Sequence, residues 1–345
     1  MVLNKWNGVG KPLRFSERWT SKKMKILANE FVLPFVEGVS CHASHLTLLP
    51  DGRVFCVFFY GSKEGNDDIR IGGCFRAPDG TWGELIPITE DDGVPHWNPV
   101  LFQKKDGTFV LYYKVGKTIP NWKTYYRTSR DCVTWSEGRE LVAGDESGGR
   151  GPVRNKAIYL SDGSILAPTS TEQGEWRCFF DRSLDDGVTW QSSALLSIAP
   201  EMAGKYESLD GHGIIQPTVW EDETGAHALM RSTEGKIYRT DSADFENWCA
   251  PYAIGMPNNN SGIDVARAPD GRLFLACNPI DTNGVRTPLS IYVSTDNGMS
   301  FSLYTHLTTM AGKYAYPALL WADGCLHVTY TWNRKTITYM CLGEV

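Results

Sequence analysis

Side chains that transfer protons or bind anions recur in this sequence directly before apolar, β-rich runs. A phenol, an imidazole, a carboxylate, a guanidinium and several amides stand at this point of successive segments. Such groups are the usual acids, bases and anion ligands of enzyme sites. They are His42, Asn98, Arg154, Asn155, Gln216, Asp264 and Tyr316.

A second set of polar side chains follows the next β-rich run of each segment. Polar residues at corresponding positions of a repeat are typical of a shared site rather than of packing. They are Glu64, Asp67, Asp68, Lys114, Glu172, Arg231, Asn278, Arg286, Trp332 and Arg334. We therefore expect the two sets to lie close together.

The elements that must position these side chains are hairpins. Six segments contain an apolar run, an Asp-Gly or other glycine-bearing turn and a second β-rich run, and Asp-Gly between alternating apolar residues is a strong hairpin signal. From Asn98 onward, successive segments are 57, 61, 48 and 52 residues long, which is room for one four-stranded blade each. The sequence therefore predicts an all-β fold, a six-bladed β-propeller of four-stranded antiparallel blades.

The propeller is predicted to occupy residues 1–345 as a single domain, with residues 1–24 as an N-terminal extension. Its blades are expected to begin near residues 41, 97, 153, 214, 262 and 314. The stretch 25–33 is expected to supply the outer strand of the last blade, because an open ring would expose a sheet edge. Since the inner strands of a propeller converge on one axis, both polar sets are predicted to line one central mouth.

Composition and charge argue against several classes of partner. The net charge is −6 and Lys and Arg form no dense cluster, which argues against nucleic acid. The nine cysteines lack paired spacing, so we expect reduced, mostly buried thiols and no zinc site. No apolar segment is long enough to span a membrane and residues 1–6 lack a signal-peptide core, so a cytoplasmic location is predicted. No metal or cofactor motif is present, and neither is expected.

A second repeat is superimposed on the first. Residues 183–190 match the pattern S-x-D-x-G-x-T-W throughout, residues 294–301 keep its spacing, and residues 129–135 and 242–248 are shorter copies. These segments resemble the Asp boxes, or BNR repeats, of the sialidase (neuraminidase) superfamily. The Asp of such a box can accept hydrogen bonds within its turn, and the Trp can pack between blades. Both are therefore expected to be structural.

The resemblance to sialidases extends from about residue 39 over nearly the whole chain and implies roles for particular residues. Tyr316 is similar to the family's nucleophile, a neutral phenol that a substrate carboxylate does not repel. Arg231 and Arg286 resemble two of the three arginines that clamp this carboxylate, and Asp68 resembles the general acid. The resemblance implies a glycosidase that acts on an acidic sugar.

Two positions depart from the family pattern. His42 stands where the first clamp arginine is expected, and Gln216 replaces the glutamate that activates the nucleophile. His42 and Arg154 are candidates to rebuild the clamp. An amide cannot accept a proton, so another carboxylate must replace the base. The candidates for the base are Glu172, Glu207 and Asp264.

Two enzymatic functions are compatible with these residues. The first is an exo-acting glycoside hydrolase that removes a terminal acidic sugar through Tyr316. The second is a lyase that acts on a uronic acid by β-elimination. In the lyase, Gln216, Asn155 and Arg231 neutralise the carboxylate, while Tyr316 and His42 serve as base and acid. The lyase requires no glutamate behind the tyrosine.

The third function is a non-catalytic sugar-binding propeller with Trp97, Trp122 and Trp332 as stacking platforms, and the retained tyrosine and arginines favour an enzyme over it. In every case the predicted partner is a carbohydrate with a carboxylate-bearing sugar, and neither nucleic acid nor membrane. The predicted catalytic residues are Tyr316, Asp68, His42 and Gln216. The predicted substrate-binding residues are Arg231, Arg286, Arg154, Asn155, Asn98, Glu64, Asp264 and Trp332.

Overall fold

The computed structural model describes residues 24–344, which form six antiparallel sheets of four strands each. The first strand is β1 (Met24–Phe31). Blade one contains β2 (Ser40–Leu48), β3 (Val54–Gly61), β4 (Arg70–Arg76) and β5 (Ile86–Pro87). Blade two contains β6 (His96–Gln103), β7 (Phe109–Val115), a 3₁₀ turn (Ile119–Asn121), β8 (Lys123–Ser129) and β9 (Arg139–Glu140). Blade three contains β10 (Ile158–Tyr159), β11 (Ile165–Thr171), β12 (Arg177–Ser183) and β13 (Gln191–Ser192), followed by the short helix α1 (Ala199–Met202).

The other three blades have the same order of strands. Blade four contains β14 (Ile214–Asp222), β15 (Gly225–Ser232), β16 (Lys236–Ser242) and β17 (Tyr252–Pro257). Blade five contains β18 (Asp264–Arg267), β19 (Leu273–Cys277), β20 (Leu289–Ser294) and β21 (Ser302–Thr308). Blade six contains β22 (Tyr314–Ala322), β23 (Cys325–Trp332) and β24 (Thr336–Glu344), and takes β1 as its outer strand. The predicted six-bladed, all-β propeller is confirmed.

Strand β1 closes the ring. It pairs antiparallel with β24, from Met24 opposite Glu344 to Phe31 opposite Thr338. This pairing covers the edge that β24 would otherwise leave open, so the prediction for residues 25–33 is confirmed. Apart from Met24, the predicted N-terminal extension lies outside the described residues.

Blade three departs from the predicted pattern at its inner strand. Strand β10 has only two residues and begins at Ile158 rather than near residue 153. In the preceding segment the Val153 N–H donates to the Pro168 carbonyl of β11 at 3.3 Å, while the side chains of Arg154 and Asn155 donate hydrogen bonds to the backbones of blades six and four. The segment therefore keeps one backbone bond to its own blade and joins two other blades through its side chains.

The inner hairpins and the packing between blades fix the position of the mouth. The turn residues Gly52 and Gly107 have φ values of 83° and 84°, which glycine adopts without strain. Apolar side chains fill the space between neighbouring blades; for example, Phe59 of blade one meets Trp97 of blade two edge to face, with ring centroids 5.7 Å apart. Dense packing of this kind holds the blades rigidly, so the starts of the inner strands are held in a defined arrangement.

The Asp boxes are structural, as predicted. The Asp185 carboxylate accepts hydrogen bonds from the Ser183 hydroxyl at 2.8 Å and from the Thr189 N–H and hydroxyl at 2.8 and 2.6 Å. Trp190 is buried and meets Tyr112 of blade two edge to face, with ring centroids 6.4 Å apart. The box therefore closes the turn between β12 and β13 and joins two blades.

The cysteines are reduced and mostly buried. All nine lie within residues 24–344, where none forms a disulfide; Cys249 is exposed, Cys325 is half-buried and the other seven are buried. This confirms the predicted state of the thiols. In the described part of the chain, no helix is long and apolar enough to cross a membrane.

Candidate active site

Four inner strands are irregular at the same point of the repeat. In β2, β6, β14 and β22 the pairing register shifts once, near the start of the strand. Such a bulge leaves a residue unpaired and re-aims its side chain. Non-glycine residues with positive φ carry a conformational cost and cluster at functional sites. One such residue lies at each of the four bulges, and the four are Ala43 (56°), Asn98 (47°), Gln216 (54°) and Tyr316 (55°).

The bulges have a sequence signal that the hairpin pattern did not include. Three of the four left-handed residues, Asn98, Gln216 and Tyr316, directly precede a proline. Proline donates no N–H, so within a sheet it is tolerated at bulges and edges. The repeated X-Pro pair at the start of an inner strand therefore marks the bulged residue.

Two side chains of blade three hold these bulges. Arg154, which is 1% exposed, donates from Nη2 to the carbonyl oxygens of Tyr316, at 2.6 Å, and of the following proline, at 2.9 Å. Asn155 donates from Nδ2 to the carbonyls of Gln216 and its proline, at 3.1 and 3.0 Å. A bulge leaves such carbonyls without ladder partners, and buried carbonyls need donors. Arg154 and Asn155 therefore position the bulges; Nε and Nη1 of Arg154 and Oδ1 of Asn155 have no partner among the described residues, so their part in substrate binding stays a prediction.

Tyr316 lies at the centre of the predicted set. Its hydroxyl accepts a hydrogen bond from Nη1 of Arg231 at 3.2 Å, and its ring centroid lies 4.2 Å from that of His42. The guanidinium carbons of Arg154, Arg231 and Arg286 lie 5.1, 5.6 and 5.9 Å from the ring centroid, within the range of cation–π attraction. The fold thus brings together residues of blades one, three, four, five and six.

The surroundings of Tyr316 favour ionisation of its phenol. Burial by itself raises the pKa of Tyr316, but the positive charges of Arg231 and Arg286 outweigh burial, although Glu172 and Glu64 oppose them. The pKa of Tyr316 therefore lies below its ordinary value. A lower pKa increases the fraction of phenolate, which is the nucleophilic form.

His42 is a neutral imidazole. It is 1% exposed, its Nδ1 shares a hydrogen bond of 2.8 Å with the Thr331 hydroxyl, and its Nε2 has no partner among the described residues. Burial, with the charges of Arg334 and Arg286 nearby, holds the pKa of His42 well below its ordinary value. His42 therefore brings no positive charge to the clamp, but it remains able to form a hydrogen bond with an anion, so its place in the clamp stays a prediction.

Ser170 of blade three contacts Gln216, and Glu172 follows Ser170 closely in the chain. Gln216 is 2% exposed, its N–H donates to the Ser170 hydroxyl at 3.1 Å, and its Oε1 has no partner among the described residues. Glu172 lies two residues beyond Ser170, directly after the end of β11. Burial raises the pKa of Glu172, although the charge of Arg231 opposes this. Of the three candidates for the base, Glu172 acts electrostatically on Tyr316, whereas Glu207 is exposed.

Asp264 links neighbouring blades through its carboxylate and does not point to a role in binding substrate. Its fully buried carboxylate forms an ion pair with Lys156 at 2.7 Å. It also accepts hydrogen bonds from the Thr218 hydroxyl and the Leu319 N–H, each at 2.7 Å. Both carboxylate oxygens are thus engaged within the protein, so we withdraw Asp264 from the substrate-binding set and from the candidates for the base.

Asp68 closes a loop. It accepts hydrogen bonds from the N–H and the hydroxyl of Ser62, each at 2.8 Å. Burial acts to raise the pKa of Asp68, but the two bonds from Ser62 outweigh it and hold the pKa below its ordinary value. A general acid needs the opposite shift, because it must carry a proton near neutral pH. Neither the bonds nor the shift supports the role of Asp68 as the acid, which stays a prediction; its neighbour Asp67 pairs with Lys117 at the surface.

The proposed aromatic platforms differ in accessibility. Trp97 and Trp122 are buried and pack on each other, with ring centroids 5.3 Å apart, so neither can stack on a sugar. Trp332 is half-buried and packs on Phe31 and Phe35, with ring centroids 5.4 and 5.2 Å from theirs. Only Trp332 of the three remains a candidate to contact a carbohydrate.

The remaining predicted residues lie in two kinds of environment. Glu64 forms an ion pair with Arg334 and is half-buried, and Asn98 is buried at its bulge; both remain candidates for substrate binding. Lys114 and Asn278 are buried and donate to backbone carbonyls. Burial lowers the pKa of Lys114 to about 7.

A cavity of about 170 Å³ lies beside Tyr316. Its polar lining includes Lys313 and Thr331, which the sequence analysis did not single out. Thr331 faces Ala315 in the inner hairpin of blade six, so its position opposite the residue before Tyr316 was a usable signal. The polar side chains of this lining are His42, Arg286, Lys313, Thr331 and Arg334.

The comparison with protein families agrees with the repeat pattern. Residues 52–328 match the BNR repeat-like domain. No curated protein sequence matches this chain.

Solved structures with the same fold include proteins of known and unknown function. A Dyadobacter fermentans protein of unknown function superposes with a TM-score of 0.75 at 16% identity, over 93% of this chain and 99% of the other. A Trypanosoma rangeli sialidase in complex with the inhibitor DANA gives a TM-score of 0.67 at 13% identity, over 88% of this chain but only 55% of the sialidase. A Ruminococcus gnavus intramolecular trans-sialidase in complex with oseltamivir carboxylate gives 0.66 at 12% identity, over 88% and 94%.

Proposed function

This chain belongs to the BNR repeat-like domain family, and we propose that it is an exo-acting glycoside hydrolase that removes a terminal acidic sugar from glycans. The observation that carries the proposal is the Tyr316 hydroxyl, which is bonded to Arg231 and whose pKa is lowered by Arg231 and Arg286. A phenol of lowered pKa beside two guanidinium groups combines a nucleophile with ligands for a carboxylate.

Substrate binding is assigned to the two arginines that contact Tyr316. Nε of Arg231 is buried and has no partner among the described residues, so it is free to donate to a carboxylate. Arg286 approaches the Tyr316 ring from blade five. Two guanidinium groups on a carboxylate orient the sugar and place its anomeric carbon near the phenol oxygen, which lowers the entropic part of the barrier.

The reaction then has two steps. In the first, the Tyr316 oxygen bonds to the anomeric carbon, the glycosidic C–O bond breaks, the phenol proton passes to Glu172, and the leaving oxygen takes a proton from solvent. The lowered pKa of Tyr316 and the raised pKa of Glu172 bring the two values closer together, which lowers the cost of this transfer. In the second step a water oxygen bonds to the anomeric carbon and releases one proton to solvent, the Tyr316–carbon bond breaks, and Glu172 returns the phenol proton to the phenolate.

We expect the pH dependence of kcat/KM to have an acidic limb, with an apparent pKa above the ordinary glutamate value of 4.5. Glu172 must be ionised to accept a proton and burial raises its pKa, so activity falls as pH decreases through the raised value. Glu172→Gln should lose this limb and about 10²- to 10⁴-fold of kcat/KM. The exposed Glu207→Gln serves as the control and should keep the wild-type profile. An unchanged profile in Glu172→Gln would contradict the assignment.

A second candidate function, the lyase, is favoured by the contact between His42 and Tyr316. The imidazole of His42 packs on the Tyr316 ring and its Nε2 is unpartnered among the described residues, so it can form a hydrogen bond with the leaving oxygen. In this mechanism the Tyr316 phenolate takes the C5 proton of a uronate, the C4–O bond breaks, and the leaving oxygen takes a proton from solvent. This reaction requires no carboxylate behind Tyr316. The amide of Gln216, whose Oε1 has no partner among the described residues, is therefore compatible with it.

The reaction product separates the two enzymes. With aryl glycosides of sialic and related ulosonic acids in isotopically labelled water, we expect one solvent oxygen in the released sugar and no new ultraviolet absorbance. A lyase acting on uronate oligosaccharides would instead yield a conjugated, absorbing product without solvent oxygen, which would reject the hydrolase. Binding of acidic sugars without turnover of any substrate would favour the non-catalytic propeller.

A further inference from the structure

Three cationic side chains line the cavity beside Tyr316, and one of them, Arg334, is paired with Glu64. Arg286, Arg334 and Lys313 all line it, and burial, together with the charges of Arg231 and Arg334, lowers the pKa of the Arg286 guanidinium. Among the described residues, neither Tyr316 nor Arg231 lines this cavity. The cavity is therefore lined by side chains other than the proposed nucleophile and the arginine that donates to it.

A buried donor points to a ligand in this cavity. The Thr331 hydroxyl oxygen accepts the N–H of Ala43 at 3.3 Å, so its own proton is free to be donated to Nδ1 of His42 at 2.8 Å. This arrangement leaves the imidazole proton on Nε2, which has no partner among the described residues although His42 is 1% exposed. A buried donor without an acceptor is costly, and an oxyanion would satisfy it.

The backbone at Arg334 supports the same conclusion. Asn333 and Arg334 have φ values of 53° and 56°, and the Lys335 N–H donates to the Trp332 carbonyl at 3.0 Å. This is a hairpin turn of type I′, whose second central position is usually glycine. Arginine there carries a conformational cost that glycine would not, and such cost points to a function of the side chain.

We propose that the cavity lined by His42, Arg286, Lys313, Thr331 and Arg334 binds a second oxyanion of the substrate, a sulfate ester, a phosphate ester or a second carboxylate. Sites for whole ligands usually measure several hundred Å³, so a cavity of about 170 Å³ suits one such group. The proposal rests on the proposed function for the sugar that carries this group. Arg286 contacts Tyr316 and also lines the cavity, so one ligand can reach both sites.

Inorganic sulfate, titrated calorimetrically at low ionic strength, tests the cavity directly. The wild-type chain is expected to bind sulfate at one saturable site, and Arg334→Gly to bind it about ten- to hundred-fold more weakly, since a charge-assisted contact is lost. Glycine relieves the left-handed backbone, so the unfolding midpoint of Arg334→Gly should equal or exceed that of wild type. Absence of saturable sulfate binding, or equal affinity in the variant, would overturn the proposal.

A matched control comes from the turn at the other end of β23. Asp323 has a φ of 50°, so Asp323→Gly relieves the same backbone conformation away from the cavity and should keep wild-type sulfate affinity. An equal loss of sulfate affinity in Asp323→Gly would assign the effect to the turn and overturn the role of the Arg334 side chain.

Competition with sialic acid tests whether the two sites are separate. Saturating sialic acid is expected to leave the Kd for sulfate within about three-fold of its value without sugar, which is less than 1 kcal/mol. Mutual exclusion would show that the cavity holds the sugar's own carboxylate and would overturn a second subsite. Tyr316→Phe should bind sulfate like the wild-type chain, so retained turnover in this variant together with intact sulfate binding would reject the hydrolase and leave the second subsite standing.

Discussion

Tyr316→Phe is expected to lower kcat/KM by roughly a thousand-fold or more, because removing a nucleophile abolishes the step that it performs. The change deletes only the hydroxyl that Arg231 contacts at 3.2 Å. The ring and its contacts with His42 and the guanidinium groups remain, and Arg154 still holds the carbonyl of residue 316. Initial rates with a fluorogenic acidic-sugar glycoside measure the loss.

Affinity for the acidic sugar provides the internal control for this variant. Arg231 and Arg286 are unchanged in Tyr316→Phe, so the Kd of a non-hydrolysable acidic sugar should stay within a few-fold of wild type. Tyr292→Phe removes a hydroxyl from β20 of blade five and should retain full activity. Near-normal turnover by Tyr316→Phe would reject both the hydrolase and the lyase, since Tyr316 is the reacting group in each.

Asp264→Ala is expected to lower the free energy of unfolding by about 3–5 kcal/mol, the usual result of removing one partner of a buried ion pair. The carboxylate is fully buried, and its loss would leave the Lys156 ammonium, the Thr218 hydroxyl and the Leu319 N–H without their acceptor. These donors belong to blades three, four and six, so three blades would lose a shared contact. Urea denaturation followed by tryptophan fluorescence measures the change.

A surface ion pair gives the matched comparison. Asp67 and Lys117 are 2.9 Å apart, with side chains 57% and 62% exposed, so Asp67→Ala should change stability by less than about 1 kcal/mol. Asp264→Asn keeps an acceptor but no charge, so its loss of unfolding free energy should lie between those of Asp264→Ala and Asp67→Ala. If Asp264→Ala were as stable as Asp67→Ala, the structural role of Asp264 would be rejected and its role in substrate binding would reopen.

The architecture of this protein follows from local sequence patterns. Alternating apolar residues and Asp-Gly turns determine each inner hairpin, and the Asp boxes determine the outer turns through bonds between residues two to four positions apart. The repeat also predicted that Tyr316, Arg231 and Arg286 would come together, because equivalent positions of successive blades lie at equivalent distances from the axis. Position in a repeat was therefore sufficient to place these residues.

What each polar residue does depends on partners that are remote in the chain. Arg154 donates to a carbonyl 162 residues away, and Asp264 accepts from Lys156, 108 residues away. Both had the same repeat position as the functional candidates, yet both serve the backbone or the packing. The repeat reveals how far a side chain stands from the axis, but not which neighbour it meets there.

The sequence by itself determined the propeller, the Asp boxes and the tyrosine–arginine centre, because periodicity and turn chemistry are local properties. Only the tertiary structure decided that Glu172 acts electrostatically on Tyr316 and that the pKa of His42 is lowered beside Arg334. Burial and the sum of nearby charges set the pKa of each group, and hydrogen-bond partners decide whether it is free to act. These quantities depend on distances between blades, which no stretch of sequence contains.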